Sequence, residues 1–300
     1  MIKNALIKIV EKIIKRNSVV ISDKIEKVNR INFFTDRNIE SKESIIDVNN
    51  TGLTISLTTF GKRIQDVFLA VESIGFQSLK AGRVVLWLAE DEFLDSKLPL
   101  SLKRLAERGL TINYCEDIKQ YKKLIPSIKS YPNDIIITID DDMLYNVNLI
   151  EILFNNHMSF PKVIFCGAAN HMLFNENNLL KSYNYWIKND KKTFSPSLMN
   201  FAIGFGGVLY FPNCFNKDIT ESSLFMHLAP FSDDIWFKTM SLLNEIEVCS
   251  VFNQLGAAGK QIPIEEAQLD SLAMINVLEN KNDDQLKKVF DYYKMYKCDF

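Results

Sequence analysis

Cysteine is sparse in this chain. Its five cysteines, Cys115, Cys166, Cys214, Cys249 and Cys298, are widely scattered and form no C-x-x-C pair. The paired spacing of zinc and thiol-redox motifs is thereby excluded, and the five read as reduced, mostly core residues of a cytosolic protein. An excess of one charge sign is missing too, since 35 basic against 37 acidic residues leave a net charge of -2. With no RNA-recognition signature and no regular basic-aromatic pattern, nucleic acid is not an expected partner. No apolar run approaches the roughly 20 residues that cross a bilayer. The N-terminus lacks the unbroken apolar core of a signal peptide, so the sequence predicts a chain neither exported nor membrane-spanning. Internal repeats and low-complexity segments are absent, and histidine occurs only as His157, His171 and His227.

What is present begins with size: 300 residues with 47% hydrophobic content can bury one large α/β domain or two small ones. The most informative stretch is Ile135-Ile136-Ile137-Thr138-Ile139-Asp140-Asp141-Asp142, a β-branched strand emptying into three consecutive carboxylates. A strand that apolar reads as buried on both faces, in the middle of a parallel sheet. Alternation along an extended segment places Asp140 and Asp142 on one side and Asp141 on the other. Two like charges about 6 Å apart repel by roughly 3 kcal/mol at an effective dielectric of about 20, so the pair calls for a cation. Mg²⁺ or Mn²⁺ prefers oxygen, takes one or two protein carboxylates, and completes its shell with water and substrate phosphates. The inferred ligand is a diphosphate, received at the carboxyl ends of the strands. A solvated acidic turn is the competing reading.

Residues Ile2, Leu6, Ile9, Val10 and Ile13 fall at helical spacing, with Lys3, Lys8, Lys12, Lys15 and Arg16 largely elsewhere. Such a basic amphipathic helix suits an anionic membrane surface, or equally its own domain or a partner subunit. Ser18 to Asn50 is polar and mixed, ending in Asn49-Asn50-Thr51-Gly52, a turn signal before a new domain. From Leu53 onward strand and helix signals alternate, the pattern of a parallel sheet with crossover helices. Strands are expected from Leu53 to Thr58, Arg83 to Ala89 and Thr111 to Cys115, with helices from Ile64 to Phe76, Leu100 to Arg108 and Tyr121 to Lys129. After the aspartates come a helix from Asn148 to His157 and strands from Val163 to Cys166 and Phe205 to Phe211. Ser232 then reads as the N-cap of a helix with Asp233 and Asp234 in its first turn.

Six pieces occur in a specific order: Ser56-Leu57-Thr58-Thr59-Phe60-Gly61-Lys62-Arg63, Val85-Leu86-Trp87-Leu88, Tyr121-Lys122-Lys123-Leu124-Ile125-Pro126, Asp140-Asp141-Asp142, Gly204-Phe205-Gly206-Gly207-Val208-Leu209-Tyr210 and Asp233-Asp234-Ile235-Trp236. With them the chain, from roughly Thr54 to Phe290, resembles the bacterial glycosyltransferases of the A-type (GT-A) fold that act in surface polysaccharide synthesis. The resemblance implies an α/β fold with a Rossmann-like, mostly parallel central sheet flanked by helices. It also implies transfer of a sugar from a nucleotide-sugar, by the family's habit a UDP-sugar, to a hydroxyl of a glycan or lipid-linked glycan acceptor. Mn²⁺ or Mg²⁺, held by the Asp-x-Asp (DXD) carboxylates, meets the donor diphosphate. By the same resemblance Asp142 is the direct metal ligand, Asp140 contacts ribose or metal, Asp141 is the less defined middle residue, and Lys123 belongs to the donor site. Asp234, with Asp233 beside it, is the base that takes the proton of the acceptor hydroxyl, so that the anomeric configuration inverts. Asn282-Asp283-Asp284-Gln285-Leu286 resembles the C-terminal end of the family, where it closes over the donor site. The first fifty residues have no counterpart. The expected organisation is a helical extension over 1–50 and a glycosyltransferase domain over 51–300, divided into a nucleotide-sugar half (51–145) and an acceptor-binding and catalytic half (146–300).

Thr58, Thr59, Phe60 and Gly61 follow the first strand, where a doubly wound sheet receives a nucleotide, and Arg63 is suited to a phosphate or base or else is a solvated helix-start charge. Glu116 and Asp117 suit a nucleobase or ribose, with N-capping by Asp117 as the alternative. Gly204, Gly206 and Gly207 let backbone approach a substrate, or mark a bulge in a packed strand. Tyr183, Tyr185 and Trp186 offer faces to a sugar, or pack the core. His171 and His227 are candidates for metal or acceptor contact, whereas His157 falls on a helix and reads as structural. Asp233 and Asp234 are helix caps unless one comes within hydrogen-bond reach of a nucleophile. The sequence thus points to a cytoplasmic enzyme, with peripheral contact at the inner face of the cell membrane left open. Its rivals are a sugar-nucleotide pyrophosphorylase, for which Thr58 to Arg63 makes a poor phosphate loop, and a non-catalytic glycan- or partner-binding protein on the same fold.

Overall fold

The computed structural model describes residues 2–94, 96–177, 179–256, 261–264 and 281–295, with side chains described for Ser18 and from Ile21 onward. The chain divides into two compact units, the first ending at Ser41 and the second starting at Lys42. The first is one helix, α1 (Ile2–Glu40). Ser18 to Glu40 continues it because this stretch holds no proline or glycine to break it. The side chains of the amphipathic pattern from Ile2 to Arg16 lie outside the described residues. Among the described residues no helix is long and apolar enough to cross a membrane.

The second unit starts before Asn50, not after it. Ile45 is fully buried and its N–H donates to Arg108 O at 2.9 Å. Arg108 in turn bonds Glu43 O (2.7 Å) and forks onto Glu72 at 2.5 and 3.0 Å, a buried bidentate pair. Residues 42–50 are therefore stitched into the domain.

Twelve strands are described: β1 (Leu53–Thr58), β2 (Arg83–Ala89), β3 (Leu110–Cys115), β4 (Ile135–Thr138), β5 (Met143–Leu144), β6 (Ile164–Cys166), β7 (Ala169–His171), β8 (Ile187–Lys188), β9 (Asn200–Ala202), β10 (Val208–Tyr210), β11 (Val248–Ser250) and β12 (Ile262–Pro263). Seven of them form the central sheet in the order β11-β6-β10-β4-β1-β2-β3. Every pairing in it is parallel except those of β10, which runs antiparallel to β4 and β6. The fold is α/β, with a mostly parallel, Rossmann-like sheet. Helices α2 (Val67–Gly75), α3 (Glu90–Phe93), α4 (Leu100–Glu107), α5 (Ile125–Ser130), α6 (Leu149–Ser159), α7 (Ser222–Leu228), α8 (Asp233–Leu242) and α9 (Lys281–Tyr293) flank it.

Both faces of the sheet are covered, as its composition requires. Ile137 and Ile139 point into one apolar cluster with Ile55, Leu57 and Leu86, while Ile136 points into another with Val208, Ile125 and Trp236. Each fully buried aliphatic side chain contributes about 1.5–3 kcal/mol. Under the second face Ser127 Oγ sits 2.7 Å from both Ser56 Oγ and Trp87 Nε1, satisfying the polar groups of β1 and β2 there. Cys166, Cys214 and Cys249 are buried thiols and Cys115 is half-buried, all of them free, whereas Cys298 lies outside the described residues.

Three expected elements break up. Ile64 to Phe76 is a 3-10 turn (Gly61–Gln65) followed by α2. Tyr121 to Lys129 divides into a 3-10 turn (Lys119–Lys123) and α5, which restarts with Pro126 in its first turn, where a missing N–H is tolerated. Phe205 to Phe211 is extended only over β10, because Gly204–Gly206 is a 3-10 turn and Gly207 takes φ +79°.

Candidate active site

The chain leaves β1 toward β2 and β3, then returns past it to β4 on the other side. Strand order reverses between β1 and β4, and the connections diverging from such neighbours leave a crevice at their carboxyl ends. Thr58-Thr59-Phe60 at the end of β1 and Asp140-Asp141-Asp142 beyond β4 line one cavity of ≈ 780 Å³. Arg63, Asp117, Lys123, Asp233 and Asp234 line it as well.

The acidic run does not alternate as expected. β4 ends at Thr138, and Asp141 and Asp142 lie in a turn. The carboxylates held together are therefore Asp141 and Asp142, not Asp140 and Asp142. Arg63 donates from Nη1 to Asp141 Oδ1 (2.7 Å) and from Nη2 to Asp142 Oδ2 (3.2 Å). Thr59 Oγ1 donates to the other oxygen of Asp141 at 2.6 Å. Arg63, expected to reach a phosphate, has both terminal nitrogens committed to these carboxylates and stacks its guanidinium over Phe60 at 4.9 Å. Burial raises the Asp141 pKa against the pull of Arg63. Burial, with repulsion from Asp140 and Asp141, pushes Asp142 up to about 7.

Asp140 turns instead to Lys123, whose Nζ lies 2.8 Å from Asp140 Oδ1 and 2.8 Å from Asp233 Oδ2. Burial by itself lowers an ammonium pKa, but Asp140, Asp233 and Asp234 outweigh it and hold Lys123 well above its ordinary value. Asp233 and Asp234 form the first turn of α8, with Ser232 at the N-cap position but making no side-chain cap bond. Asp234 Oδ2 accepts the Gly204 N–H at 3.0 Å. Burial and then the neighbouring Asp233 push Asp234 up to about 7. A Cβ on Gly204 would lie 2.7 Å from Lys123 Nζ and 2.9 Å from Asp234 Oδ1, so a side chain there would have to displace both charged groups.

Asp117 makes an Asx turn, accepting the Lys119 N–H at 2.9 Å, and pairs with the buried Lys122. Burial works to raise its pKa, and the bonds from Lys122 and Lys119 prevail and hold it below the ordinary value. It remains on the cavity wall.

Seven acidic side chains, Glu92, Asp117, Asp140, Asp141, Asp142, Asp233 and Asp234, thus share the wall with four cations, Arg63, Lys119, Lys122 and Lys123, and the wall is short of positive charge. Among the described residues no three His, Cys, Asp or Glu side chains come together as a complete metal cage. Carboxylate oxygens are the donor type of a hard ion such as Mg²⁺, which takes one or two of them and completes its shell from a bound diphosphate; on Asp142 and Asp140 such an ion would share the carboxylates with Arg63 and Lys123. They do not fit a closed zinc site.

Four expectations are corrected. His171, proposed as a metal ligand, is carried by β7 into the small sheet β8-β7-β9, where its Nδ1 lies 2.8 Å from Asn200 Oδ1, and it is not on the cavity wall. Trp186, proposed for substrate, is buried behind the wall and donates to Lys181 O. Gly206 and Gly207 are packing residues: a Cβ on Gly206 would meet Ala168 N at 2.5 Å, and one on Gly207 would meet Leu149 at 3.0 Å. Gly204 acts one step back from the cavity, through its bond to Asp234, while its neighbours Ile203 and Phe205 line the wall. Residues not anticipated are Phe201, Phe231 and Ser232, which line it beside Tyr183 and Asn282. Phe231 and Ser232 were legible from their place directly before Asp233, whereas Phe201 carries no local signal.

No protein-family model matches the chain, and no curated protein sequence does. Among solved structures, the crystal structure of HddC from Yersinia pseudotuberculosis superposes with a TM-score of 0.34 and 10% sequence identity, covering 54% of this chain and 77% of that chain. A likeness of that size carries no inference about activity.

Proposed function

We propose that this chain is a metal-dependent inverting glycosyltransferase of the A-type fold, moving a sugar from a nucleotide-sugar, a UDP-sugar by resemblance, to a hydroxyl of a glycan or lipid-linked glycan in bacterial surface polysaccharide synthesis. One observation carries the reading: the carboxylates beyond β4 and those opening α8, far apart in sequence, face one crevice at the strand-order reversal with a buried lysine between them. Asp142 and Asp140 would hold Mn²⁺ or Mg²⁺. When bound, that ion offsets the charge developing on the departing nucleoside diphosphate.

The chain's own residues do the rest. Arg63 and Thr59 hold Asp141 and so set the shape of the acidic turn. Lys123 keeps Asp140 and Asp233 at a fixed separation. Asp234, held by the Gly204 N–H, accepts the proton of the acceptor hydroxyl, and attack opposite the leaving diphosphate inverts the anomeric centre.

The test is release of UDP from a panel of UDP-sugars, with Mn²⁺ supplied or chelated, for the wild type and Asp142→Asn. Chelation should abolish turnover. Asp142→Asn should lower it on the order of 1,000-fold, several kcal/mol of transition-state stabilisation. Its thermal midpoint should hold or rise, because a buried, repelled carboxylate is removed. Turnover indifferent to chelation and to Asp142→Asn would sink the reading. Release of inorganic pyrophosphate in the presence of UTP would point instead to a pyrophosphorylase, and neither turnover nor thermal shift with any donor to a binding protein.

A further inference from the structure

One wall of the cavity is not used by the reaction just described. Asn282, in the first turn of α9, is 8% exposed, lines the cavity, and keeps its Oδ1 buried with no hydrogen-bond partner. A buried acceptor left unmade is costly. One that faces a cavity is relieved by a donor that arrives with a ligand.

The neighbours of Asn282 explain how it is held. Asp283 accepts the Tyr183 N–H at 2.7 Å and the Ser182 hydroxyl, and Gln285 Oε1 accepts the Phe231 N–H at 2.8 Å. The first turns of α9 therefore pin both loops that bring Tyr183 and Phe231 to the wall. Phe201 completes it, its ring edge-on to Tyr183 at 5.9 Å. Aromatic faces beside one neutral acceptor suit the C–H faces and a hydroxyl of a pyranose. The ammonium groups of Lys119 and Lys281 stand 5.1 and 5.0 Å from the Phe231 ring centroid, so positive charge on this wall gathers at Phe231 and the neutral side is that of Asn282, Tyr183 and Phe201.

We propose that Asn282, Tyr183, Phe201 and Phe231 form the subsite for the transferred sugar, with one sugar hydroxyl donating to Asn282 Oδ1. This rests on the glycosyltransferase reading, which puts the donor diphosphate at Asp142 and the base at Asp234. The sugar then lies between them, next to the loop in which Phe231 and Ser232 lead into Asp233. Asn282 is a specificity residue, because a sugar lacking that hydroxyl leaves its oxygen buried and unpaired.

Calorimetric titration of the full chain with UDP, UDP-glucose, UDP-galactose and UDP-N-acetylglucosamine, in Mn²⁺, tests it. At least one sugar nucleotide should bind the wild type about 10-fold tighter than UDP, the size of one good neutral hydrogen bond with its ring contacts. Asn282→Leu should erase that gain, while its UDP affinity and unfolding midpoint report that it has folded; Asn282→Ala serves if the leucine variant does not fold. A variant that keeps the full gain overturns the subsite, as does a wild type to which no sugar adds affinity over UDP. A wild type that does not bind UDP overturns the underlying reading, and this inference falls with it.

Discussion

Asp234 is the residue on which chemistry and fold make opposite demands. Its burial and the adjacent Asp233 favour the neutral acid, with a pKa pushed up to about 7, while a base must be ionised. Turnover should therefore rise with pH through about 7 and level off above it, a profile checked by initial rates across pH 5 to 9. Asp234→Asn retains an oxygen for the Gly204 N–H, so the protein should fold, yet turnover should fall by about 10² to 10⁴, the usual contribution of a general base. An unchanged rate would remove Asp234 from the mechanism. The identity of this residue was legible because two acids following a serine mark a helix start. Its partner was not, because Gly204 reaches it from thirty residues away through a turn that no local pattern marks. His171 and Trp186 misled for the same reason, since a metal-binding or sugar-stacking side chain type says nothing about where the fold carries it.

Among the elements, the turn at Gly204–Gly206 decides the most. It brings backbone against Lys123 and Asp234 where a longer β10 would have carried it past them. Gly204→Ala puts a methyl group into that contact, costing about 1–3 kcal/mol as an overpacked buried site. Displacing Lys123 and Asp234 by even a few tenths of an ångström should lower turnover about 10-fold or more, given that a 1 Å misplacement costs about 100-fold. Thermal unfolding beside initial rates separates the two effects; a variant with wild-type turnover would show that this approach is not needed. Strands β1 and β2 were read to the residue because continuous β-branched and apolar runs are a local property. The helices beginning at Ile64 and Tyr121 were read too long, since periodicity cannot see where a 3-10 turn replaces the first α turn.

For the whole molecule, the raised carboxylates set a pH dependence of stability. Asp234, and with it Asp141, Asp142 and Asp233, has its pKa raised in the folded chain. The native state therefore binds protons that the unfolded state has released above its ordinary carboxyl pKa of about 4. Their stabilising contribution is whole below that value and is lost as pH rises through about 7. Buried Lys238, pulled down to about 7 by burial, acts with the opposite slope at higher pH, where only the unfolded chain still holds its proton. The thermal midpoint should consequently fall from pH 5 toward 7, and Mn²⁺ with UDP at 100 times its dissociation constant should return about 2.7 kcal/mol at pH 7 by binding the native state alone. Differential scanning fluorimetry checks both, and a midpoint that climbs steadily from pH 5 to 7 would contradict the burial assigned to these acids. By itself the sequence determined the alternating α/β plan, the strand that empties into Asp140 to Asp142 and the acids that open α8, because hydrophobic period and capping chemistry act between near neighbours. Only the tertiary structure decided that Arg63 joins Asp141 to Asp142, that Lys123 joins Asp140 to Asp233, and that Asn282 closes the same cavity. Those meetings depend on the order in which the chain lays its strands and on how each turn ends, neither of which is written in any short stretch of residues.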